Sequence, residues 1–136
     1  MPGSPPLTLF SLAQRGLSAQ LVRMNAAASN LANAGSVSGT EAGAYRPIRP
    51  VFKTALDAAS GLATVDVSSV ERSSVAAIRE HNPDNPLADA NGDVWTSPVD
   101  ENAEMVEMLD SSRQYQNLVE ALSTAKQLML ETMRMK

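Results

Sequence analysis

Residues 99–135 read VDENAEMVEMLDSSRQYQNLVEALSTAKQLMLETMRM. Within them Met108, Tyr115, Leu122 and Met129 recur at seven-residue spacing, flanked by Leu118, Val119, Ala125 and Met133. Apolar residues at steps of three and four lie on one side of an α-helix, so this stretch predicts a long helix with a single apolar stripe. Pro98 can open it, because the first helical N–H needs no partner, and Asp100, Glu101 and Glu104 set negative charge at the positive end of the helix dipole. Arg134 and Lys136 complement the other end. A helix gains most of its stability from packing its apolar face, so a stripe this narrow calls for a partner.

The partner lies at the other end of the chain. From about Pro6 to Asn33, Phe10, Leu17, Met24 and Leu31 repeat every seven residues, with Leu21 and Ala28 four residues after the second and third of them. The run closes on Asn33-Ala-Gly35, where Asn or Gly can take the left-handed conformation that stops a helix. The expected fold is therefore mainly α: two long terminal helices packed as an antiparallel coiled coil, with a short loop and β-hairpin middle segment. In this reading 1–34 and 99–136 form one core domain and 35–98 an extended loop and β segment. Met108, Tyr115, Leu118, Leu122 and Met129 would pack toward Leu17, Leu21, Met24, Ala28 and Leu31, within or between subunits.

Between the helices Gly, Ser and Pro punctuate short apolar alternations. The segment from Gly35 to Gly43 reads as loop. Tyr45 to Lys53 reads as extended, with Pro47 and Pro50 restricting it to an edge or an isolated hairpin arm. Val65 to Val67 and Ser74 to Ile78 are further strand candidates, none of them long, and Asn91-Gly92 is a tight-turn dipeptide.

Composition narrows the function. The 136 residues suffice for one modest domain. Hydrophobic residues make up 43% but aromatics only 4%, which favours helix packing over a thick sandwich core. Eleven basic against fifteen acidic residues give a net charge of -4, with no basic run beyond the loose Arg46, Arg49, Lys53 group, so nucleic acid is not an expected partner. The absence of cysteine removes disulfides, thiolate metal sites and cysteine nucleophiles. The stretch from Met1 to Leu12 has no positive residue and does not read as a cleavable signal. No stretch approaches the roughly 20 apolar residues that span a bilayer, so no direct membrane insertion is expected.

The residues with chemical potential read mostly as ordinary structure. His81 is the single histidine, in the Pro-flanked segment Glu80 to Asp84, and without a second His or a Cys it reads as a solvated loop residue rather than a catalyst. Asp84, Asp89, Asn91 and Asp93 make an oxygen-rich cluster. An EF-hand register placed on Gly92 puts Leu87 first and Pro98 twelfth, which fails at both ends, and Asx-turn chemistry is the simpler account. Five of the seven methionines fall in the C-terminal helix, where they suit a plastic packing surface. No catalytic residue, cofactor or metal is expected. Asn25, Asn30 and Asn33 are amides on a helix of small residues, suited either to a helix contact or to C-terminal capping.

Three blocks carry a resemblance. They are Ala26-Ala-Ala-Ser-Asn-Leu-Ala-Asn33; Tyr45-Arg46 through Pro50-Val51-Phe52 with Asn85-Pro-Leu-Ala-Asp-Ala-Asn-Gly92; and Pro98-Val-Asp100, Glu104-Met-Val106, Ser112 to Asn117, Glu120-Ala-Leu122 and Lys126 to Met129. In order and spacing the chain resembles the axial rod and hook proteins of the bacterial flagellum. Asp93 departs from that pattern, which commonly has an aromatic after the glycine. The resemblance implies a non-enzymatic structural subunit of the proximal rod that polymerises through its terminal helices and transmits torque. Its implied partners are copies of itself, neighbouring proximal and distal rod subunits, an adaptor protein at the export gate and MS ring, and the flagellar type III export apparatus, which passes it to the periplasmic rod uncleaved. A soluble coiled-coil adaptor or export chaperone would share the helices. An enzyme built on His81 and the Asp84/Asp89 cluster is the more distant alternative.

Overall fold

Thr8 stops the chain from entering the first helix one residue earlier. Its extended backbone turns its hydroxyl onto the Ser11 N–H, while Ser11 returns its own hydroxyl oxygen to the Thr8 N–H at 2.9 Å, which satisfies two of the N–H groups a helix start leaves open. The computed structural model describes residues 8–135. Helix α1 runs over Leu9–Ala32 and ends at Asn33, whose N–H reaches back to the Ser29 and Asn30 carbonyls. Gly35 follows at φ +71, the left-handed conformation that the sequence anticipated for the stop. Pro6 and Leu7, in the expected helix start, and Lys136, in its expected C-terminal charge pair, lie outside the described residues.

The second helix, α2, spans Glu101–Arg134. Pro98 does not open it. Asp100 is the cap, accepting from the Ala103 N–H at 3.2 Å, and Pro98 precedes it in irregular chain. At about 1.5 Å per residue α1 is about 36 Å long and α2 about 51 Å. The two run antiparallel: Leu9 shares a cleft with Ala125 and Met129, Gly16 lies against Leu118, and Arg23 reaches Glu107 and Asp110. A Cβ on Gly16 would sit 3.2 Å from Leu118 Cδ1, so the glycine sets how closely the helices approach.

Five strands occupy the middle: β1 (Val37–Ser38), β2 (Ile48–Leu56), β3 (Ala63–Arg72), β4 (Ile78–His81) and β5 (Asp93–Thr96). Strands β2 and β3 form a long antiparallel hairpin from Ile48↔Arg72 to Leu56↔Ala63, with a register shift at Val51/Phe52. Because the sheet has only two strands, Pro50 can sit inside β2 without breaking a second ladder. The Asp57 carboxylate organises the turn, accepting from the Ser60 N–H and, at 2.6 Å, from its hydroxyl. The hairpin leans on α1, where Arg15 reaches the Thr64 hydroxyl and the Asp66 carboxylate. The other sheet has the order β1-β5-β4, with β5 central and Val94 almost fully buried.

The expected mainly α coiled coil is therefore corrected. The described chain is about 45% helix and 23% strand, with two antiparallel sheets between the helices, so the class is α plus β. The strands are also longer than expected, nine and ten residues in the hairpin, and Ser74 to Ala77 is irregular, with the strand starting only at Ile78. The physical reason lies in sequence distance and exposure. Strand β1 finds its partner β5 across more than fifty residues, and the hairpin is mostly solvent-exposed, so neither shows the alternation that marks a half-buried strand.

Candidate assembly interface

The end of the molecule where α1 finishes and α2 begins is closed by polar side chains. Asn30 is fully buried. Its carboxamide oxygen accepts from the Ile48 N–H and the Tyr45 hydroxyl, both at 2.8 Å, and its NH2 donates to the Ile48 carbonyl at 3.0 Å. One amide thus clamps both backbone groups of the first residue of β2, as a neighbouring strand would. Next to Ile48, Arg49 carries its guanidinium onto Glu104 in a two-pronged ion pair, with Nη1 to Oε2 at 2.8 Å and Nη2 to Oε1. Glu104 is 1% exposed, and the paired carboxylate holds the Arg49 guanidinium above its usual pKa. Together these contacts tie both helices to the root of the hairpin.

Midway along the helices Arg23 forks between Glu107 at 2.8 Å and Asp110 at 2.9 Å, and hydrogen bonds to Glu107 first of all raise its pKa. One turn away, Ser111 is buried and returns its hydroxyl to the Glu107 carbonyl at 2.8 Å. Ser111 belongs to a more buried stripe of α2, Glu104, Met108, Ser111, Tyr115, Leu118, Leu122 and Ala125, spaced alternately by four and three. Met108, Tyr115, Leu118 and Leu122 therefore face inward, whereas Met129, the next in the series, is 54% exposed.

On α1 the most buried positions are Ala19, Ala26, Ala27 and Asn30. At 3.6 residues per turn they centre roughly 140° around the helix from the stripe of Leu17, Leu21, Met24, Ala28 and Leu31. Leu17, Met24 and Leu31 are half-buried, and Leu21 and Ala28 are exposed. Small residues take the central positions because α1 is covered on two sides, by α2 and by the hairpin, and only Ala, Gly and a hydrogen-bonded Asn fit between. Asn33 is half-buried, donating its side-chain amide to the Ser29 carbonyl at 2.8 Å, and Asn25 is exposed. So Asn33 does capping work, while Asn30 contacts a strand and neither caps nor joins helices.

His81 sits at the end of β4 rather than in a loop. Its Nδ1 lies 2.9 Å from Asp93 Oδ1, and Arg79 reaches the other oxygen of the same carboxylate through Nε at 2.8 Å and through Nη2. Hydrogen bonds from His81, then from Arg79, hold the Asp93 carboxyl below the usual range. Asp89 accepts from the Asn91 and Asp93 N–H groups, the Asx-turn geometry expected of this cluster, and Gly92 takes φ +78. Among the described residues no group of three or more His, Cys, Asp or Glu is arranged to hold a metal ion.

At the opposite end the surface is apolar and open. Leu128 is 59% exposed and Met133 72%, and with Leu9, Ala125, Met129 and Thr132 they line a cavity of about 400 Å³. Scattered exposed leucines are ordinary, but a contiguous apolar strip at one end of a long helix marks a contact surface. No helix among the described residues is long and apolar enough to cross a membrane.

Comparison with known proteins fits this geometry. The family "Flagella basal body rod protein" matches residues 10–39, spanning α1 and β1, and "Flagellar basal body rod FlgEFG protein C-terminal" matches 90–135, spanning β5 and α2. The flagellar basal-body rod protein FlgC of Salmonella typhimurium is 46% identical over 129 residues, covering 93% of this chain and 95% of the relative. The chain belongs to the FlgC family of flagellar basal-body rod proteins. The Escherichia coli O6:H1 relative is 45% identical over the same coverage, and that of Agrobacterium fabrum 32% identical with 93% of each chain covered. A rod-family chain is a structural subunit, and its place is the basal-body rod, in assembly with other flagellar components. The two matched segments are those that contribute α1 and α2, and the long β2–β3 hairpin falls between them.

Proposed function

We propose that the chain builds the proximal rod by lending the outward faces of its two terminal helices to neighbouring subunits, while the hairpin and small sheet of residues 35–98 form the outer part of the subunit. The observation that carries this reading is the contrast within α2: its first half is closed by Arg49, Arg23 and the small residues of α1, and its last two turns present Leu128, Met129 and Met133 with no cover among the described residues. Leu21 and Ala28 on α1 and Met129 on α2 are then contacts between subunits, and Leu17, Met24, Leu31, Met108, Tyr115, Leu118 and Leu122 hold the helix pair in one orientation. The partners are copies of itself, the neighbouring proximal and distal rod proteins and an adaptor at the MS ring and export gate. It reaches the periplasmic rod through the flagellar type III apparatus without cleavage and performs no catalysis, since torque transmission requires many simultaneous packing contacts and no reacting group.

A strain deleted for the gene, followed by swimming assay and electron microscopy of its envelope fraction, tests the reading. Loss of rod and filament, restored by the intact gene, is the expected result. Intact basal bodies in the deleted strain would contradict it and favour a soluble adaptor or export chaperone. Replacing Leu122 by Asp in the same strain should block assembly while the protein is still made, and normal motility would count against the helix-packing role.

A further inference from the structure

Beside the C-terminal end of α1, the chain from Asn33 to Arg46 folds around a polar cavity of about 300 Å³. Arg46 and Arg72 both line it, the first from the loop after β1 and the second from the last position of β3. Four other arginines are ion-paired within the chain: Arg15 with Asp66, Arg23 with Glu107 and Asp110, Arg49 with Glu104, and Arg79 with Asp93. Arg46 and Arg72, among the described residues, form no ion pair and no side-chain hydrogen bond, although Glu41 stands in the same loop and Glu71 is the neighbour of Arg72 in β3. Glu71 instead accepts from the Ser69 hydroxyl at 3.1 Å. The rest of the wall adds hydroxyls, including Ser36, whose side chain also has no partner among the described residues.

Two arginines and a serine lining one concavity suit a carboxylate, which a guanidinium binds through two parallel N–H···O bonds. The chain itself supplies such groups. It is acidic overall, and Asp84, Glu101, Glu120 and Glu131 are exposed and make no ion pair among the described residues. Contacts between a pocket at one place on a subunit and a different surface on the next copy are heterologous, and heterologous contacts build rings where the rotation closes and open helical assemblies where it does not. We propose that the Arg46/Arg72 pocket is a docking site for an acidic side chain of α2 from a second copy of this chain, a contact that rests on reading the chain as a rod subunit.

The test is charge reversal in the living strain. Arg46→Glu together with Arg72→Glu should lower the number of assembled rods on the order of tenfold, while the purified variant melts within a few degrees of the wild type, and Arg46→Lys with Arg72→Lys should retain most assembly. Adding Glu101→Lys, Glu120→Lys or Glu131→Lys to the reversed variant should restore rods in at least one case. Normal rod numbers in the reversed variant would overturn the proposal, and so would failure of all three compensating changes, which would assign the pocket to another protein. A deleted strain that still builds rods would overturn the rod reading itself, whereas rods lost on deletion but kept on charge reversal would remove only this pocket.

Discussion

The two ends of the helix pair are built on different principles. Where α1 meets α2, Asn30, Tyr45, Ile48, Arg49 and Glu104 satisfy one another with buried polar contacts, so the join between the helices and the hairpin root is completed within the chain. Where the helices diverge in length, Leu128, Met129 and Met133 lie in water beside Leu9. A buried hydrogen-bond network fixes one arrangement because any slip leaves polar groups unpaired, while an apolar strip accepts whichever complementary surface arrives. The closed end therefore fixes how the helices meet the hairpin, and the open end is a surface that, in the function proposed above, a neighbouring subunit covers.

Removing one partner of the closed end should have the largest effect on stability. Arg49→Ala strands the Glu104 carboxylate at 1% exposure, and a loss of about 2–3 kcal/mol in urea unfolding is expected, since a buried charge without its partner is far more costly than the pair is favourable. Asn30→Ala comes next. It leaves the Ile48 N–H and carbonyl without their Asn30 partner and the Tyr45 hydroxyl with Ser29 alone, for roughly 2 kcal/mol, with the hairpin root opening first by hydrogen exchange.

The His81–Asp93–Arg79 group gives a pH-dependent prediction of smaller size. Folding depresses the Asp93 pKa, so its contribution is present above the ordinary carboxylate range near 4 and is lost as the pH falls through the lower folded value. Asp93→Asn should thus be less stable than the wild type at neutral pH, and the gap should close as acid unfolding is followed toward pH 3. A gap that widens on acidification would contradict the sign. The smallest stability effect belongs to the open end: Leu128→Ser or Met133→Ser should change unfolding by no more than about 0.5 kcal/mol, while rod assembly falls sharply.

Much of this was legible from sequence, and the rest was hidden for definite reasons. The seven-residue repeats found both helices, and Asn33-Ala-Gly35 located the stop, because those signals are local. The rotational setting of α1 was not legible. Leu17, Leu21 and Met24 carry the stronger hydrophobic signal, but a helix covered by both α2 and a hairpin is most buried where Ala19, Ala26, Ala27 and Asn30 permit close approach. Nor could spacing reveal the closed end, since Arg49 and Glu104 are 55 residues apart and only the hairpin root brings them together. An acid three residues inside α2 read as a dipole charge, and nothing local marked it as buried. Asn30 did stand out, as an amide on a helix that had no need of it, yet its partner in β2 was out of reach of periodicity.

The open end provides the most direct measurement, because the chain has no cysteine of its own. A single Met133→Cys variant, with Leu56→Cys at the 72% exposed hairpin tip as reference, can be treated with a thiol reagent as purified monomer and again in isolated basal bodies. Rapid labelling at position 133 in the monomer and strong protection in the rod is the predicted result. Equal labelling at position 133 in both states would contradict the claim that this face of α2 is completed by a neighbouring subunit.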